Sequence, residues 1–214
     1  VTPGLYHQHC AYERFTASGP LAILPMNGDR CWCVWAVAAE DVEDYMTLSE
    51  EQFLVRLQQQ FGDRLGRFNR VGKRYVYPLA RSRAEKHYRR RAVLVGNAAQ
   101  SVHPVAAQGF NLALRDVAWL AEVLAQAHDN NEDHGAEEVL ANYEEIRRRD
   151  TRRVTSFTHG MIKLFTSQLP PLIAGRNMGL LAVDFLPEVK RALLKRTMGL
   201  SGRQSRLARG LLLK

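Results

Sequence analysis

The sequence predicts a mixed α+β fold that ends in a long helical region. Strand-forming residues and turn signals dominate residues 1–80, whereas apolar residues recur at helical spacing from Gly109 almost to the end. Between them, the apolar run "AVLVG" at 92–96 leads into a turn that contains a glycine. We therefore divide the chain into a sheet region at 1–80, a strand-loop-helix joint at 81–134 and a helical region at 135–214.

The sheet region begins with a predicted β-hairpin and a predicted helix. Residues 20–39 contain two runs rich in Val, Trp and Cys around the turn Asn27-Gly28-Asp29, which is typical of a hairpin. Ser49 can cap a following helix, and Gln52 completes a capping box three residues later. Apolar residues at helical spacing then predict packing of this helix against the sheet: Phe53, Leu54, Leu57 and Phe61.

Three further elements follow from the same patterns. Residues 66–80 alternate again and predict a strand that ends at Pro78. The run 92–96 predicts a buried strand of the kind found in parallel sheets, with Gly96 allowing close approach of another group. A helix is expected from Gly109 to Ala127, a polar loop after it, and helix again in the remainder. We interpret the Arg-rich middle of that remainder as a solvated face with internal ion pairs.

Composition excludes several classes of protein. The three cysteines are too few for a disulfide framework and fit a reducing cytosol. We expect no metal site, because His7, His9 and Cys10 have no second ligand pair at structural zinc spacing. The apolar run at 169–187 is interrupted by charged residues and is too short to span a membrane. Because the chain begins at Val1 without a methionine, we expect it to be part of a longer protein.

Positive charge is concentrated at the C-terminal end. After residue 189 there are eight basic and no acidic residues, whereas the preceding part balances 22 basic against 22 acidic residues. Leucines alternate with these cations, which favours an interfacial helix on an anionic membrane. Nucleic acid is not expected as a partner, because this basic tail contains no aromatic residue for base stacking. The tail cations are Lys190, Arg191, Lys195, Arg196, Arg203, Arg206, Arg209 and Lys214.

The joint at 96–116 has the residues of a ligand site. Asn97 follows the predicted strand, where a short polar side chain either caps a turn or bonds a ligand hydroxyl. Gly109 opens the next helix, whose free N–H groups and dipole favour negative charge on a flat ligand. An ordinary strand-loop-helix joint explains the same pattern equally well. His103 precedes Pro104, and a role in loop packing is as plausible for it as proton transfer.

The stretch "GNAAQSVHPVAAQGFNLALRD" resembles the second flavin-contacting motif of class A FAD-dependent aromatic monooxygenases, in the branch of ubiquinone biosynthesis. The segments "FTASGPLAILPM", "YVYPLA" and "GRNMGLLAVDFLP" are similar to that branch too, so the likeness covers nearly the whole chain. Within the branch, Asn97 and Gln100 stand where most members have aspartate and histidine, and this pair most resembles the 2-polyprenyl-6-methoxyphenol hydroxylases.

The resemblance implies a fragment of a Rossmann-like FAD-binding fold with a mixed-sheet substrate domain and a helical C-terminal region. Residues 1–80 would belong to the substrate sheet and 81–134 to the C-terminal part of the FAD-binding domain. Asn97 would lie near the ribityl and phosphate-linking part of FAD, and the isoalloxazine ring would be lined by Pro104, Gly109, Phe110 and Asn111. NAD(P)H would reduce the flavin, and a flavin hydroperoxide would hydroxylate the polyprenyl methoxyphenol ring. No residue is implied as a catalytic acid or base.

Three departures from the family pattern matter. Ala107 and Ala113 replace glycines that most members have, and the chain contains no Gly-x-Gly-x-x-Gly, the motif that holds the ADP half of FAD. We therefore expect the chain to be the C-terminal part of the enzyme and inactive by itself. The enzyme is expected to be cytoplasmic and peripheral at the inner membrane. The alternative is a noncatalytic module that docks on the membrane or assembles other ubiquinone-biosynthesis enzymes.

Overall fold

The computed structural model describes residues 1–16, 18–80, 82–102 and 108–213. Two compact units are present: Val1–Pro78 with Ile162–Ile173, and Leu79–Met161 with Ala174–Lys214. Strands and helices occur in both units, so the predicted mixed class is confirmed.

The first unit is built on a three-stranded antiparallel sheet. Strands β2 (Tyr12–Thr16), β3 (Gly19–Pro25) and β4 (Cys31–Trp35) follow one another in space as they do in sequence. The strands β3 and β4 form the predicted hairpin, with Leu21 opposite Trp35 and Pro25 opposite Cys31. A second, two-stranded ladder pairs β1 (Thr2–Pro3) with β5 (Phe68–Arg70).

Helix α2 (Glu50–Phe61) covers the sheet, after the short helix α1 (Val42–Thr47). Its predicted capping box is confirmed: Gln52 N donates to Ser49 Oγ at 3.2 Å, and Ser49 N donates to Gln52 Oε1 at 2.9 Å. The helix buries its apolar face on the sheet, which confirms the predicted packing. The core of this unit consists of Leu21, Ile23, Cys31, Phe53, Leu57, Phe61, Leu65 and Phe68.

The predicted strand at 66–80 is mostly wrong. Only Phe68–Arg70 pairs with another strand, and residues 71–80 run without ladder partners among the described residues. Instead, the guanidinium of Arg74 donates to the carbonyls of Tyr45 at 2.8 Å and Leu48 at 2.6 Å. Alternation predicts an extended chain, but a strand also needs a neighbouring backbone, which this segment lacks beyond β1.

The second unit contains four short strands and most of the helical residues. Strands β6 (Ser82–Arg83) and β9 (Gln100–Ser101) pair with each other, as do β7 (Tyr88–Arg89) and β8 (Ala92–Val93). The helices are α3 (Gln108–Asp129), α4 (Glu137–Thr166), α5 (Pro170–Phe185) and α6 (Pro187–Thr197), although the end of α4 and the start of α5, within Ile162–Ile173, belong to the first unit. The predicted helix after Gly109 and the polar loop are confirmed, and the helical remainder is confirmed as far as Thr197. The core of this unit joins α3 and α4 through Trp119, Val123, Ala127, Val139 and Tyr143.

The prediction of a buried strand at 92–96 is wrong. Only Ala92–Val93 forms a ladder, antiparallel to Tyr88–Arg89, and Leu94 is 38% exposed. A buried parallel strand needs partners on both sides, and the described residues supply one short antiparallel partner.

The basic tail is not one interfacial helix, so that expectation is wrong. Helix α6 ends at Thr197, and the following residues form irregular turns with a single 3-10 turn at Leu207–Arg209. The cause is three glycines with positive φ, Gly199 at 72°, Gly202 at 94° and Gly210 at 71°, a conformation that interrupts a helix. Within the described part of the chain, none of the helices has the length and apolarity required to cross a membrane.

Candidate functional site

The site is centred on a tight turn that packs against helix α3. Residues Gly96–Ala98 form a single 3-10 turn, and Gly96 has a φ of +61°. A Cβ on Gly96 would lie 3.1 Å from the Cβ of Ala113, so the close approach predicted for this glycine is confirmed and its partner is α3. Because Ala113 is one helical turn after Gly109, this contact brings Asn97 to the N-terminal end of α3.

Asp116 fixes the turn to the helix from inside the protein. Its Oδ2 accepts a hydrogen bond from Gly96 N at 3.0 Å, and its Oδ1 accepts one from Arg147 Nε at 2.5 Å. The side chains of Asp116 and Arg147 are only 3% and 1% exposed. A carboxylate buried among apolar residues needs such partners, because desolvation otherwise penalises its charge. The pair therefore joins the turn, α3 and α4 at one point.

The network extends toward the surface through Asp150. Arg147 donates its second bond to Asp150 Oδ2 at 2.7 Å, and Arg115 donates to Asp150 Oδ1 at 3.3 Å. Burial lowers the pKa of Arg115, although Asp150 acts in the opposite direction. Burial also raises the pKa of the Tyr143 hydroxyl, and the nearby Asp116 carboxylate adds to this rise.

The Arg-rich middle of α4 is only partly what the sequence predicts. Internal ion pairs are confirmed, since Glu145 binds Arg148 at 2.6 Å and Arg149 at 2.9 Å on the surface. Arg147, however, belongs to the core rather than to the solvated face. The helical spacing could have revealed it, because Tyr143 and Arg147 continue the buried stripe of α4, as Leu112 and Asp116 do in α3. Opposite charges on two core-facing stripes indicate a buried pair.

The predicted cofactor-binding residues lie at an open surface. Asn97 is exposed in the turn, Asn111 is exposed on α3, and Phe110 is 72% exposed. Gly109 has no positive φ, and among the described residues a Cβ there would meet Val102 Cγ2 at 3.6 Å, an ordinary van der Waals contact. The prediction for Pro104, like the remarks on His103 and Ala107, lies outside the described residues.

This surface fits a planar, negatively charged group. The first turn of α3 carries no acidic side chain to neutralise the positive end of its dipole. Asn97 offers both a donor and an acceptor for ligand hydroxyls, and Phe110 offers an apolar face. The residues present are therefore compatible with the flavin half of FAD.

Other buried polar residues have structural roles. Gln100 Nε2 donates to Thr151 Oγ1 at 3.1 Å and so links β9 to α4. In the first unit, His7 Nε2 donates to the carbonyls of Met26 at 3.1 Å and Gly28 at 2.9 Å, which holds the hairpin turn. The described residues contain no cluster of three or more metal-ligating side chains.

Comparisons with known proteins identify the family of this chain. A family model described as an FAD binding domain matches residues 4–158. The "ubiquinone hydroxylase UbiL" of Rhodospirillum rubrum is 40% identical over 207 residues, which cover 95% of this chain and 48% of that protein. The "3-demethoxyubiquinol 3-hydroxylase" of Escherichia coli is 32% identical over 189 residues, covering 88% of this chain and 48% of that enzyme. The chain thus spans about half the length of these curated relatives.

Solved structures show the same fold at low sequence identity. The p-nitrophenol 4-monooxygenase PnpA of Pseudomonas putida superimposes with a TM-score of 0.63 at 22% identity, covering 86% of this chain and 46% of that one. The Diels-Alderase PyrE3 superimposes with a TM-score of 0.68 at 18% identity, covering 96% of this chain and 43% of that one. The two proteins are named for different reactions, so the shared fold does not identify the reaction. The family is identified by the family model, which matches residues 4–158: the chain belongs to the FAD binding domain family.

Proposed function

We propose that the protein is an FAD-dependent monooxygenase that hydroxylates the ring of a polyprenyl methoxyphenol in ubiquinone biosynthesis, with NAD(P)H as reductant. The observation that carries this proposal is the turn fixed by Asp116, which brings Asn97 close to the first turns of α3, where Gly109 lies. The 40% identity to a protein named as a ubiquinone hydroxylase supports the pathway. Asn97 and Gln100 match the residue pair of the 2-polyprenyl-6-methoxyphenol hydroxylases. This match supports a polyprenyl methoxyphenol ring as the substrate.

Each residue of the site has a physical role in this proposal. Asn97 binds ribityl hydroxyls, and Gly109 lets the ring approach the backbone. The positive end of the α3 dipole stabilises negative charge on the bound ring, and Phe110 and Asn111 line it. When bound, FAD supplies the activation of O2 and the transfer of one oxygen atom to the phenol. Asp116 acts indirectly, since it touches Gly96 and not the ligand.

The proposal is tested on the full-length protein. Incubation with NADPH, 18O2 and a polyprenyl methoxyphenol should yield a product that carries one labelled oxygen, detected by mass spectrometry. Asn97→Ala should weaken FAD binding by about fivefold, because a net hydrogen bond contributes about 1 kcal/mol. Asn69→Ala, at an exposed asparagine of β5, is the matched control and should keep the wild-type affinity. Equal FAD affinity in both variants would remove Asn97 from the site.

We also propose that the protein works at the anionic surface of the inner membrane on the cytoplasmic side, where a polyprenylated substrate resides. Support comes from α5 and α6, since neither helix has a buried residue. Their exposed large apolar side chains are Leu172, Met178, Leu180, Leu181, Phe185, Val189 and Leu194, and Leu186 between the two helices is exposed too. The cations of α6 lie beside them and are exposed: Lys190, Arg191, Lys195 and Arg196.

Sedimentation with phosphatidylglycerol vesicles tests the membrane proposal. Lys190→Gln with Lys195→Gln should reduce binding at low salt, because each cation contributes up to about 1 kcal/mol near anionic lipid. Binding of the wild type should weaken as salt rises. Wild-type sedimentation that is equal at low and high salt would contradict an electrostatic contribution.

The second candidate function is a noncatalytic docking or assembly module for other ubiquinone-biosynthesis enzymes. It is favoured by the same unburied helices, which could hold a protein partner as well as lipid. Flavin content separates the two candidates. A full-length protein that sediments with vesicles but binds no FAD would support the module and reject the monooxygenase.

A further inference from the structure

A polar groove lies in the second unit between α3 and the irregular segment after α6. Its volume is about 480 Å³. Glu122 and Gln126 of α3 form one side, and residues 202–209 form the other. The lining residues on that second side are Gly202, Arg203, Gln204, Arg206 and Arg209. None of these residues belongs to the proposed flavin site.

The groove is held in shape by backbone contacts. Arg206 N donates to Glu122 Oε2 at 2.5 Å, which ties the segment to α3. Ser205 is 2% exposed, and its Oγ accepts from Ala208 N at 3.3 Å, so it caps the following 3-10 turn. Gly202 has a φ of 94°, which turns the chain back toward α3. The arginines therefore project from a fixed frame rather than from a free tail.

Charge in the groove is unbalanced. Three guanidinium groups face one carboxylate, and that carboxylate already accepts the bond from Arg206 N. Among the residues that the structure describes, the ion pairs involve neither Arg203, Arg206 nor Arg209. A groove with this excess of positive charge attracts anions.

Two of the guanidinium groups are oriented by the protein. Arg203 Cζ lies over the ring of Trp119, 5.3 Å from its centroid, a cation–π contact that restricts the position of the guanidinium. Arg206 Nε donates to the carbonyl of Leu212 at 2.7 Å, which leaves its terminal nitrogens as donors. Such pre-oriented donors reduce the entropy lost when an anion binds.

We propose that this groove is a binding site for a phosphoryl group. A phosphoryl group offers several oxygen acceptors in a tetrahedral arrangement and can accept from more than one guanidinium, whereas a carboxylate is matched by a single guanidinium fork. The group can come from soluble phosphate or from a phospholipid headgroup. Leucines on the same segment favour the lipid, since Leu207 is 45% exposed and Leu212 is 75% exposed. The lipid source rests on the proposed function at a membrane, whereas the phosphoryl site does not.

Calorimetric titration of the full-length protein with inorganic phosphate, at fixed ionic strength, tests the site. Arg203→Gln with Arg209→Gln should weaken phosphate binding at least tenfold. The matched control is Lys190→Gln with Arg191→Gln on α6, which removes the same charge outside the groove and should change the affinity less than twofold. Arg209→Gln alone, at an exposed side chain, repeats the test if the double variant is unstable.

The outcomes are distinct. Equal loss of affinity in the groove variant and the α6 control would overturn the site, because general charge attraction would then explain binding. Absence of phosphate binding by the wild type would overturn it too. Monomeric dioctanoyl phosphatidic acid that binds at least tenfold more tightly than inorganic phosphate identifies the lipid source, and equal binding identifies soluble phosphate. Flavin content of the same samples tests the proposed function separately, so either proposal can fail alone.

Discussion

Removing the charge of Asp116 is expected to destabilise the second unit strongly. The substitution Asp116→Asn keeps the shape of the side chain but leaves the buried Arg147 with Asp150 as its remaining acidic partner. The new amide also cannot reproduce both bonds that the carboxylate accepts, from Gly96 N and from Arg147 Nε. The turn that carries Asn97 and the buried arginine are therefore affected together.

The expected loss of stability follows from burial. Breaking a buried ion pair by removing one partner costs roughly 3–5 kcal/mol, because the other charge stays desolvated. We expect about 3 kcal/mol, the lower end of that range, since Asp150 still offsets part of the charge of Arg147. For a domain of this size, each kcal/mol lowers the Tm by about 2–4 °C, so the Tm should fall by about 6–12 °C.

Thermal and urea unfolding of the full-length protein measure this loss. The exposed pair of Glu145 with Arg148 is the control, and Glu145→Gln should leave the Tm unchanged. Replacing both buried charges, Asp116→Leu with Arg147→Met, should cost less than the sum of the single changes, because no buried charge is then unpaired. If Asp116→Asn shifts the Tm no more than Glu145→Gln does, the carboxylate does not stabilise the site.

Three further predictions follow from the same geometry. Gly109→Ala in α3 and Gly160→Ala in α4 should each stabilise the ligand-free protein by up to about 1 kcal/mol, because alanine favours a helix. Only Gly109→Ala should lower the affinity for FAD, measured by fluorescence titration. Burial lowers the pKa of His87, although the carboxylates of Glu144 and Asp116 act in the opposite direction. Below about pH 6.5, His87 therefore binds a proton more readily in the unfolded state than in the folded state. Stability should therefore decline as pH falls, with a slope of at most one proton. His87→Gln should remove that slope in pH-dependent urea unfolding, whereas the exposed His128→Gln should not. The 214-residue chain by itself, which has no Gly-x-Gly-x-x-Gly, should purify without flavin, and stoichiometric FAD absorbance at 450 nm would contradict this expectation.

Some features of the fold could be predicted because their causes are neighbours in sequence. The capping box joins Ser49 to Gln52, three residues apart, and both of its hydrogen bonds are present. The hairpin of β3 and β4 follows from a short turn between two strand-forming runs. Helix α3 follows from apolar residues at helical spacing, with an observed start at Gln108, one residue before the expected Gly109. Interactions of this range involve residues whose relative positions are set by the local backbone.

The sequence also showed the family resemblance of residues 96–116. It did not show the buried contacts that hold this segment in place. Asn97, Gly109, Phe110 and Asn111 were identified from the motif, and they lie at one end of α3. The motif contains Asp116 as well, yet nothing in the stretch indicates that its carboxylate holds Gly96 N. Its second partner lies 31 residues further along the chain, in a segment that charge patterning assigned to solvent.

The sequence by itself determined the mixed class, the hairpin and the main helices, and it contains the motif on which the proposed flavin site rests. Only the tertiary structure decided which charges are buried and where the C-terminal segment lies. Three consecutive arginines occupy 147–149. Arg147 is buried against Asp116 of α3, whereas Arg148 and Arg149 stay exposed to water. Likewise, the cations at 203–209 line a groove because the helical path ends at Gly199 and Gly202, after which Arg206 N binds Glu122, 84 residues away. Local propensity sets the direction of a side chain along its own element, whereas desolvation and pairing depend on which element packs against it.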